Sequence, residues 1–248
     1  MHCGWSRRTA VVATLKQLGI QDVVTGFERR INAPEVEHCE LPPDFITLHD
    51  AGELDKQALD YILGRGITMD QLKSHGIGVS YSGRYAYRIV FPVYADGELK
   101  CFNTRDFTGR RKPKYLLSKG DKYLAYFDPS ATSCVLSEGV IKAMRIEQAT
   151  TSASAALLGH DLTDNQLSQV SRSSCQLIVL WPDGDLVGRR GFIKIADKLS
   201  ASWGGDVSMV WPVAGPADEL PRLAIKFHLM SRTQSYTARV RHRMLLDK

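Results

Sequence analysis

Cysteine and long apolar runs are scarce in this sequence. Its 248 residues include five cysteines, and no two of them form a Cys-x-x-Cys pair. Scattered thiols of this kind are typical of a reducing compartment and do not make the disulfide framework of a small secreted domain. A membrane-spanning apolar run and the apolar segment of a signal peptide are lacking as well. We therefore expect a cytoplasmic protein that does not act at a membrane.

Several signatures of common enzyme classes are also missing. The sequence has no dinucleotide-binding G-x-G-x-x-G, no zinc-protease H-E-x-x-H and no nucleophile elbow. It also lacks the G-x-x-x-x-G-K-[S/T] loop of helicases and other P-loop enzymes. The chain therefore carries none of these four signatures.

The composition is that of a globular protein with a mild positive charge. Apolar residues make up 44% and charged residues 24% of the chain, which is ordinary for a folded domain. The length is sufficient for a sizeable core without disulfides or structural metals. The net charge of +5 is compatible with a polyanionic partner but does not by itself require one.

The pattern of apolar residues changes along the chain. Two helices are predicted over residues 53–78, the second capped by Thr68, and a β-hairpin follows with its turn at residues 95–97. From residue 133 strands and helices alternate, which favours a mostly parallel sheet covered by helices. We predict the α/β class: a mixed α+β N-terminal subdomain followed by a Rossmann-like parallel-sheet subdomain.

Acidic residues follow three of the predicted strands. Glu138 comes after CVLS, Asp183 and Asp185 after LIVLWP, and Asp218 after VSMVWPV and a Gly-Pro turn. Each motif alone is more often a solvated turn. Together they lie where the carboxyl ends of parallel strands form a site. Clustered carboxylates are the oxygen ligands that Mg²⁺ or Mn²⁺ prefers.

A basic stretch precedes these acids. Residues 98–122 contain eight Lys or Arg against three acids. A solvated basic hairpin is the simpler interpretation of such a run. Beside a carboxylate cluster, however, positive groups can hold template phosphates and a triphosphate, and an aromatic ring can stack on a base. The candidates for nucleic-acid or nucleotide binding are Arg88, Asn103, Arg105, Lys114 and Tyr115.

The acidic segments resemble a known family. LSEGVIKAMRIEQA followed by LIVLWPDGDLVGRRG is similar to the TOPRIM fold of primases, topoisomerases and some nucleases. This resemblance implies catalytic and metal-binding roles for Glu138, Asp183 and Asp185. PADEL resembles a primase segment and implies that Asp218 is a further metal ligand.

Three upstream blocks narrow the resemblance to DnaG-type DNA primases of bacteria and bacteriophages. GRGITMDQLKSHGIG, YRIVFPVYADGELKCFNTRDF and RRKPKYLLSKG are similar to primase segments and occur in the primase order. The resemblance covers roughly residues 58–225 and implies a DNA-directed RNA polymerase, located in a bacterial or phage-infected cell. Its partners would be single-stranded DNA, NTPs and an RNA primer, and its cofactor Mg²⁺ or Mn²⁺. If a replicative helicase takes part, we expect it to be a separate chain, since this sequence has no P-loop.

The sequence departs from the primase pattern in places. Lys142 and Pro216 stand where the family has aspartates. HCGWS resembles the last knuckle of the primase zinc ribbon, but the spacing of His2, Cys3 and the His38–Cys39 pair does not support a zinc site.

The predicted organisation is a zinc-ribbon remnant and linker, a basic subdomain, a TOPRIM domain and a basic tail. Their bounds are residues 1–50, 51–130, 131–222 and 223–248. Two alternatives to a primase stay open. A TOPRIM nuclease would use the same acids without NTPs, and a degenerate primase-like module would bind nucleic acid without catalysis.

Overall fold

Two β-sheets of five strands each organise the part of the chain that the structure describes. His2 and Cys3, the centre of the predicted zinc-ribbon remnant, lie outside that part. The described residues fall within one of two compact units of the chain, Cys39–Lys248. In this computed structural model they are residues 39–50, 52, 55–150, 152–211, 215–231 and 233–246.

The first sheet is antiparallel, and its strands lie side by side in chain order. The predicted hairpin is confirmed as β3 and β4. Asp96 and Gly97 between them have positive φ angles of 54° and 77°, which suits a two-residue turn whose twist matches the strands. The strands are β1 (Ile46–Thr47), β2 (Gly78–Ser80), β3 (Arg88–Ala95), β4 (Glu98–Asp106) and β5 (Tyr115–Leu117).

The second sheet is mostly parallel, as predicted. Its strand order is β10-β9-β8-β6-β7, and β10 alone runs antiparallel to its neighbour. Apolar runs form the central strands because helices cover parallel sheets and bury their strands. The strands are β6 (Ser133–Ser137), β7 (Ala153–Ala156), β8 (Leu177–Trp181), β9 (Asp206–Val210) and β10 (Thr233–Ser235).

Helices begin where the sequence offers side-chain caps. The side chains of Thr68 and Thr163 each accept a hydrogen bond from a backbone amide in the first turn. In each case the side chain of a glutamine three residues later accepts a hydrogen bond from the backbone amide of the threonine. The helices in the described residues are α1 (Lys56–Gly64), α2 (Met69–Ser74), α3 (Val140–Ala149), α4 (Asp164–Ser171), α5 (Leu186–Ser202), α6 (Arg222–Ser231) and α7 (Ala238–Leu246).

Helix α3 packs against both sheets and joins them. Val140 and Ile141 share one apolar cluster with Ile89 and Phe91 of the first sheet, while α3 follows directly from β6 of the second. Burying a side chain of this size contributes about 1.5–3 kcal/mol. This packing fixes the polar residues of α3 relative to the basic strands of the first sheet.

The end of the described chain folds onto the second sheet. Val240 and Met244 of α7 join the cluster that contains Phe192 of α5. Strand β10 pairs with β9 from Thr233 to Ser235. Among the described residues, no helix has the length and apolar character needed to span a bilayer.

Candidate functional site

Two of the predicted acidic residues lie together at one edge of the second sheet. Strands β6 and β8 are parallel neighbours in register, with Ser137 opposite Trp181. Glu138 follows the first strand immediately and Asp183 follows the second by two residues. Because parallel strands end at the same edge, the two carboxylates become neighbours although 45 positions separate them.

Lys142 lies beside this pair. Its ammonium donates to both carboxylate oxygens of Asp183. Lys142 is in the first turn of α3, and Glu138 comes four residues earlier, just before the Gly139 that caps this helix. The side chains of Lys142 and Asp183 are 14% and 23% exposed, so the ion pair is partly shielded from water.

Glu138 is the less satisfied of the two acids. Its Oε2 atom is buried and has no hydrogen-bond partner among the described residues, although Nδ1 of His160 is 3.5 Å away. Burial raises the pKa of Glu138, and the adjacent carboxyl of Asp183 raises it further, against the opposing effect of Lys142 and His160. A buried carboxylate oxygen of this kind favours a cation or a proton donor.

The other two predicted acidic ligands have different contacts. Asp185 caps α5, and its Oδ1 accepts a hydrogen bond of 2.7 Å from the backbone amide of Gly188. Asp218 forms an ion pair with Arg65. No group of three His, Cys, Asp or Glu side chains suited to a metal ion converges in the part of the chain that the structure describes. The structure therefore brings together two of the four predicted metal ligands.

The Glu138–Asp183 pair fits one divalent ion. An orphaned buried oxygen on Glu138 beside a second carboxylate supplies the hard oxygen donors that Mg²⁺ and Mn²⁺ take, with the remaining positions left to water and phosphate. The ammonium of Lys142 already contacts Asp183. The pair offers donors for one ion, whereas Asp185 and Asp218 are engaged by the amide of Gly188 and by Arg65.

A cleft links the acidic edge to the first sheet. It has a volume of about 220 Å³ and is lined on one side by Glu138 and on the other by Asn103 and Tyr115. Lys122 completes the wall. Its Nζ lies so close to Gly159 that a Cβ there would be 3.1 Å from it, so glycine leaves room for the ammonium. The cleft thus combines an acid, an amide, an aromatic ring and a cation.

Two of the predicted phosphate-binding arginines are buried instead. Arg88 is 2% and Arg105 is 3% exposed. Arg88 donates to the carbonyls of Pro113 and Lys114, at 2.6 and 3.1 Å. Arg105 donates to the hydroxyls of two tyrosines, Tyr61 and Tyr115. In this structure both guanidinium groups support neighbouring segments and do not face solvent.

The exposed positive charge lies in the loop between β4 and β5. We call residues 108–114 the basic loop. Asp106 holds its start by accepting hydrogen bonds from the amides of Thr108 and Arg111, each 3.0 Å. Lys114 ends the loop, and its pKa is lowered by the positive charge of Arg105, by burial and by Arg65. The exposed cations of the loop are Arg110, Arg111, Lys112 and Lys114.

Sequence reasoning missed three residues of this site. Lys142 stood out only as a departure from a family pattern, although its position four residues after Glu138 was a usable signal. Lys122 lay at the end of the basic stretch without a feature of its own. Arg65 pairs with Asp218 across 153 positions, and no local pattern indicates such a contact.

The arrangement of strands and helices is shared with known structures. A DNA primase domain from Pseudomonas aeruginosa superposes with a TM-score of 0.67 at 19% identity, covering 77% of this chain and 76% of that one. The E. coli primase catalytic core superposes at 0.64 and 16% identity, covering 78% of each chain. The chain has the fold of a DnaG-type primase catalytic core. The predicted fold class and resemblance are confirmed.

Other comparisons agree with the primase fold. A DnaG primase catalytic domain bound to single-stranded DNA superposes at a TM-score of 0.64 with 17% identity, covering 74% of each chain. A curated DNA primase of Halalkalibacterium halodurans is 27% identical over 192 residues, which are 71% of this chain. The chain spans 31% of that relative's length. No family model matches the sequence.

Proposed function

We propose that this chain is the catalytic core of a DNA primase, which joins ribonucleotides into short RNA on single-stranded DNA. The observation that carries the proposal is the cleft that is lined by Glu138, Asn103, Tyr115 and Lys122. An acid and a cation in the lining of one cleft suit a reaction on a triphosphate. The primase fold, shared with a domain solved with single-stranded DNA, supports the same reaction.

In the proposed reaction a primer 3′-hydroxyl attacks the α-phosphate of a ribonucleotide, and pyrophosphate leaves. Lys122 and Lys114 attract the triphosphate, and the exposed cations of the basic loop contact template phosphates. The ring of Tyr115 offers a surface for a base. We assign the basic role to residues 51–130 and the acidic role to residues 131–222.

Glu138 and Asp183 would hold a Mg²⁺ or Mn²⁺ ion, which when bound stabilises negative charge on phosphoryl oxygens. We assign Asp185 a supporting role, since it caps the helix that follows Asp183. Asp218 would act through its contact with Arg65. The proposed setting is the cytoplasm of a bacterial or phage-infected cell.

The test is a primer-synthesis assay with labelled NTPs on mixed-sequence single-stranded DNA. Wild type is compared with Glu138→Gln and Asp183→Ala, with Mg²⁺ or Mn²⁺ present. Asp164→Asn is the matched control because Asp164 is an exposed acid that pairs with Lys198. We expect short RNA from wild type and the control, and at least about a hundredfold less from the two site variants, in line with the loss of charge stabilisation at a phosphoryl centre.

The absence of product from wild type, beside an active reference primase, would overturn the proposal. Metal-dependent cutting of DNA without NTPs would instead favour a nuclease. The ion pair of Lys142 with Asp183 favours a second candidate, a non-catalytic module that binds single-stranded DNA. In that case DNA binding persists in Asp183→Ala, and no variant or wild-type protein yields RNA.

A further inference from the structure

Two of the predicted acidic ligands form ion pairs with basic side chains of the same chain. Asp183 is paired with Lys142 and Asp218 with Arg65. Glu138 has no such partner among the described residues beyond His160, at 3.5 Å. Charge neutralisation in this region therefore comes largely from basic side chains of the chain itself.

The Lys142–Asp183 pair is held more firmly than an ordinary surface ion pair. Both carboxylate oxygens of Asp183 accept from the one ammonium. Lys142 comes from a helix that is fixed by apolar packing, and the two residues before it, Val140 and Ile141, are fully or almost fully buried. A partly shielded pair of this kind is screened less by water and salt than an exposed one.

We propose that Lys142 is a built-in counter-ion of Asp183, and that a divalent ion binds at Glu138 and Asp183 only by displacing the ammonium. The inference rests on the proposed function, because that reaction calls for the ion at this place. It assigns Lys142 a regulatory part: the lysine sets how much free metal is needed to fill the site.

A purely structural salt bridge predicts a different outcome. If Lys142 only stabilised the fold, removal of its charge would lower the melting temperature. The affinity of Glu138 and Asp183 for a metal ion would then stay unchanged. A competing cation predicts instead that its removal frees the oxygens of Asp183 next to the unpaired Oε2 of Glu138. Two adjacent free carboxylates attract a divalent ion more strongly than one.

The experiment measures Mn²⁺ binding to the full chain by calorimetry and by electron paramagnetic resonance. Wild type is compared with Lys142→Met, which removes the charge and keeps the length of the side chain. Lys198→Met is the control, since Lys198 also pairs with an aspartate, Asp164, but outside the cleft. We expect Lys142→Met to bind Mn²⁺ at least about tenfold more tightly than wild type, and Lys198→Met to match wild type.

The double variant Lys142→Met/Asp183→Asn locates the effect, because it should lose the gained affinity. Lys142→Gln serves as a second variant if thermal melting shows that Lys142→Met is unfolded. Folded Lys142 variants that bind Mn²⁺ no better than wild type would overturn the inference. Metal affinity is measured without DNA or NTPs, so the result stands apart from whether the chain makes primers.

Discussion

The acidic edge of the second sheet and the basic strands of the first sheet differ in where they place their charged groups. Glu138 and Asp183 keep their carboxylates beside a cleft, at strand ends where the backbone leaves the sheet. Arg88 and Arg105 lie within strands, and their guanidinium groups are buried against carbonyls and tyrosine hydroxyls. The acids therefore stay available to a ligand, whereas the two arginines serve as internal donors.

This difference has a physical origin. A side chain beyond the last residue of a strand faces the loops and the cleft, whereas a side chain in a covered strand must find partners in the core. Arginine has five hydrogen-bond donors on a planar group, and they can all find acceptors in the core when carbonyls and hydroxyls surround it. The cations of the basic loop, by contrast, are exposed.

The largest expected effect comes from a buried arginine. Arg105→Leu removes the donor to Tyr61 and Tyr115 and leaves two hydroxyls without it. Hydrogen bonds to charged groups contribute about 1.5–3 kcal/mol each, so we expect the free energy of unfolding to fall by about 3 kcal/mol in urea denaturation. Arg110→Leu, at an exposed position, should change it little. Equal free energies of unfolding for the two variants would contradict the distinction between buried supporting arginines and exposed cations.

A smaller effect is expected at Gly188, in the first turn of α5. A Cβ at this residue would be 2.7 Å from the Cβ of Asp183, so alanine must shift that acid. We expect Gly188→Ala to lower the rate of primer synthesis about tenfold, or about 1.4 kcal/mol, and to lower the melting temperature as well, because the Cβ of Asp183 moves only with its backbone. Gly64→Ala is the control, since open space surrounds Gly64. An unchanged rate would mean that the position of Asp183 is not critical.

The smallest effect is expected at the basic loop. Lys112→Ala should weaken binding of single-stranded DNA by a few-fold at every sequence, without loss of stability. Each phosphate contact that is lost lowers the slope of log affinity against log salt by about 0.7 for single strands. Fluorescence anisotropy over a range of NaCl concentrations measures this slope. Lys73→Ala, an exposed lysine on α2, should leave the slope unchanged, and a reduced slope there would argue against a localised interface.

Much of the fold could be predicted because local signals and global packing agree. The turn at Asp96 and Gly97, the cap at Thr68 and the apolar runs of the parallel strands each indicate the element that the structure contains. The proximity of Glu138 and Asp183 could be predicted because the carboxyl ends of parallel strands lie at the same edge of a sheet. Strand β10 was not predicted, because its Thr-Gln-Ser sequence has no apolar alternation.

The side-chain partners could not be predicted. Which acid receives Lys142 depends on how α3 rests on the first sheet, and the Arg65–Asp218 pair depends on how α1 and the 3-10 turn Ala217–Glu219 approach each other. Arg145 of α3 bridges these segments through the carbonyls of Gly66 and Leu220, at 3.2 and 3.1 Å. Such contacts arise from tertiary packing and leave no periodic trace in the sequence.

The short strand β10 has a consequence for how the protein behaves at high concentration. An unpaired strand at the border of a sheet exposes backbone groups with which a strand of another molecule can pair. Here three residues of β10 cover β9 at one border, and an isolated bridge with Ala125 pairs Ala156, the last residue of β7, at the other. We therefore expect the second sheet to resist strand-by-strand aggregation between molecules.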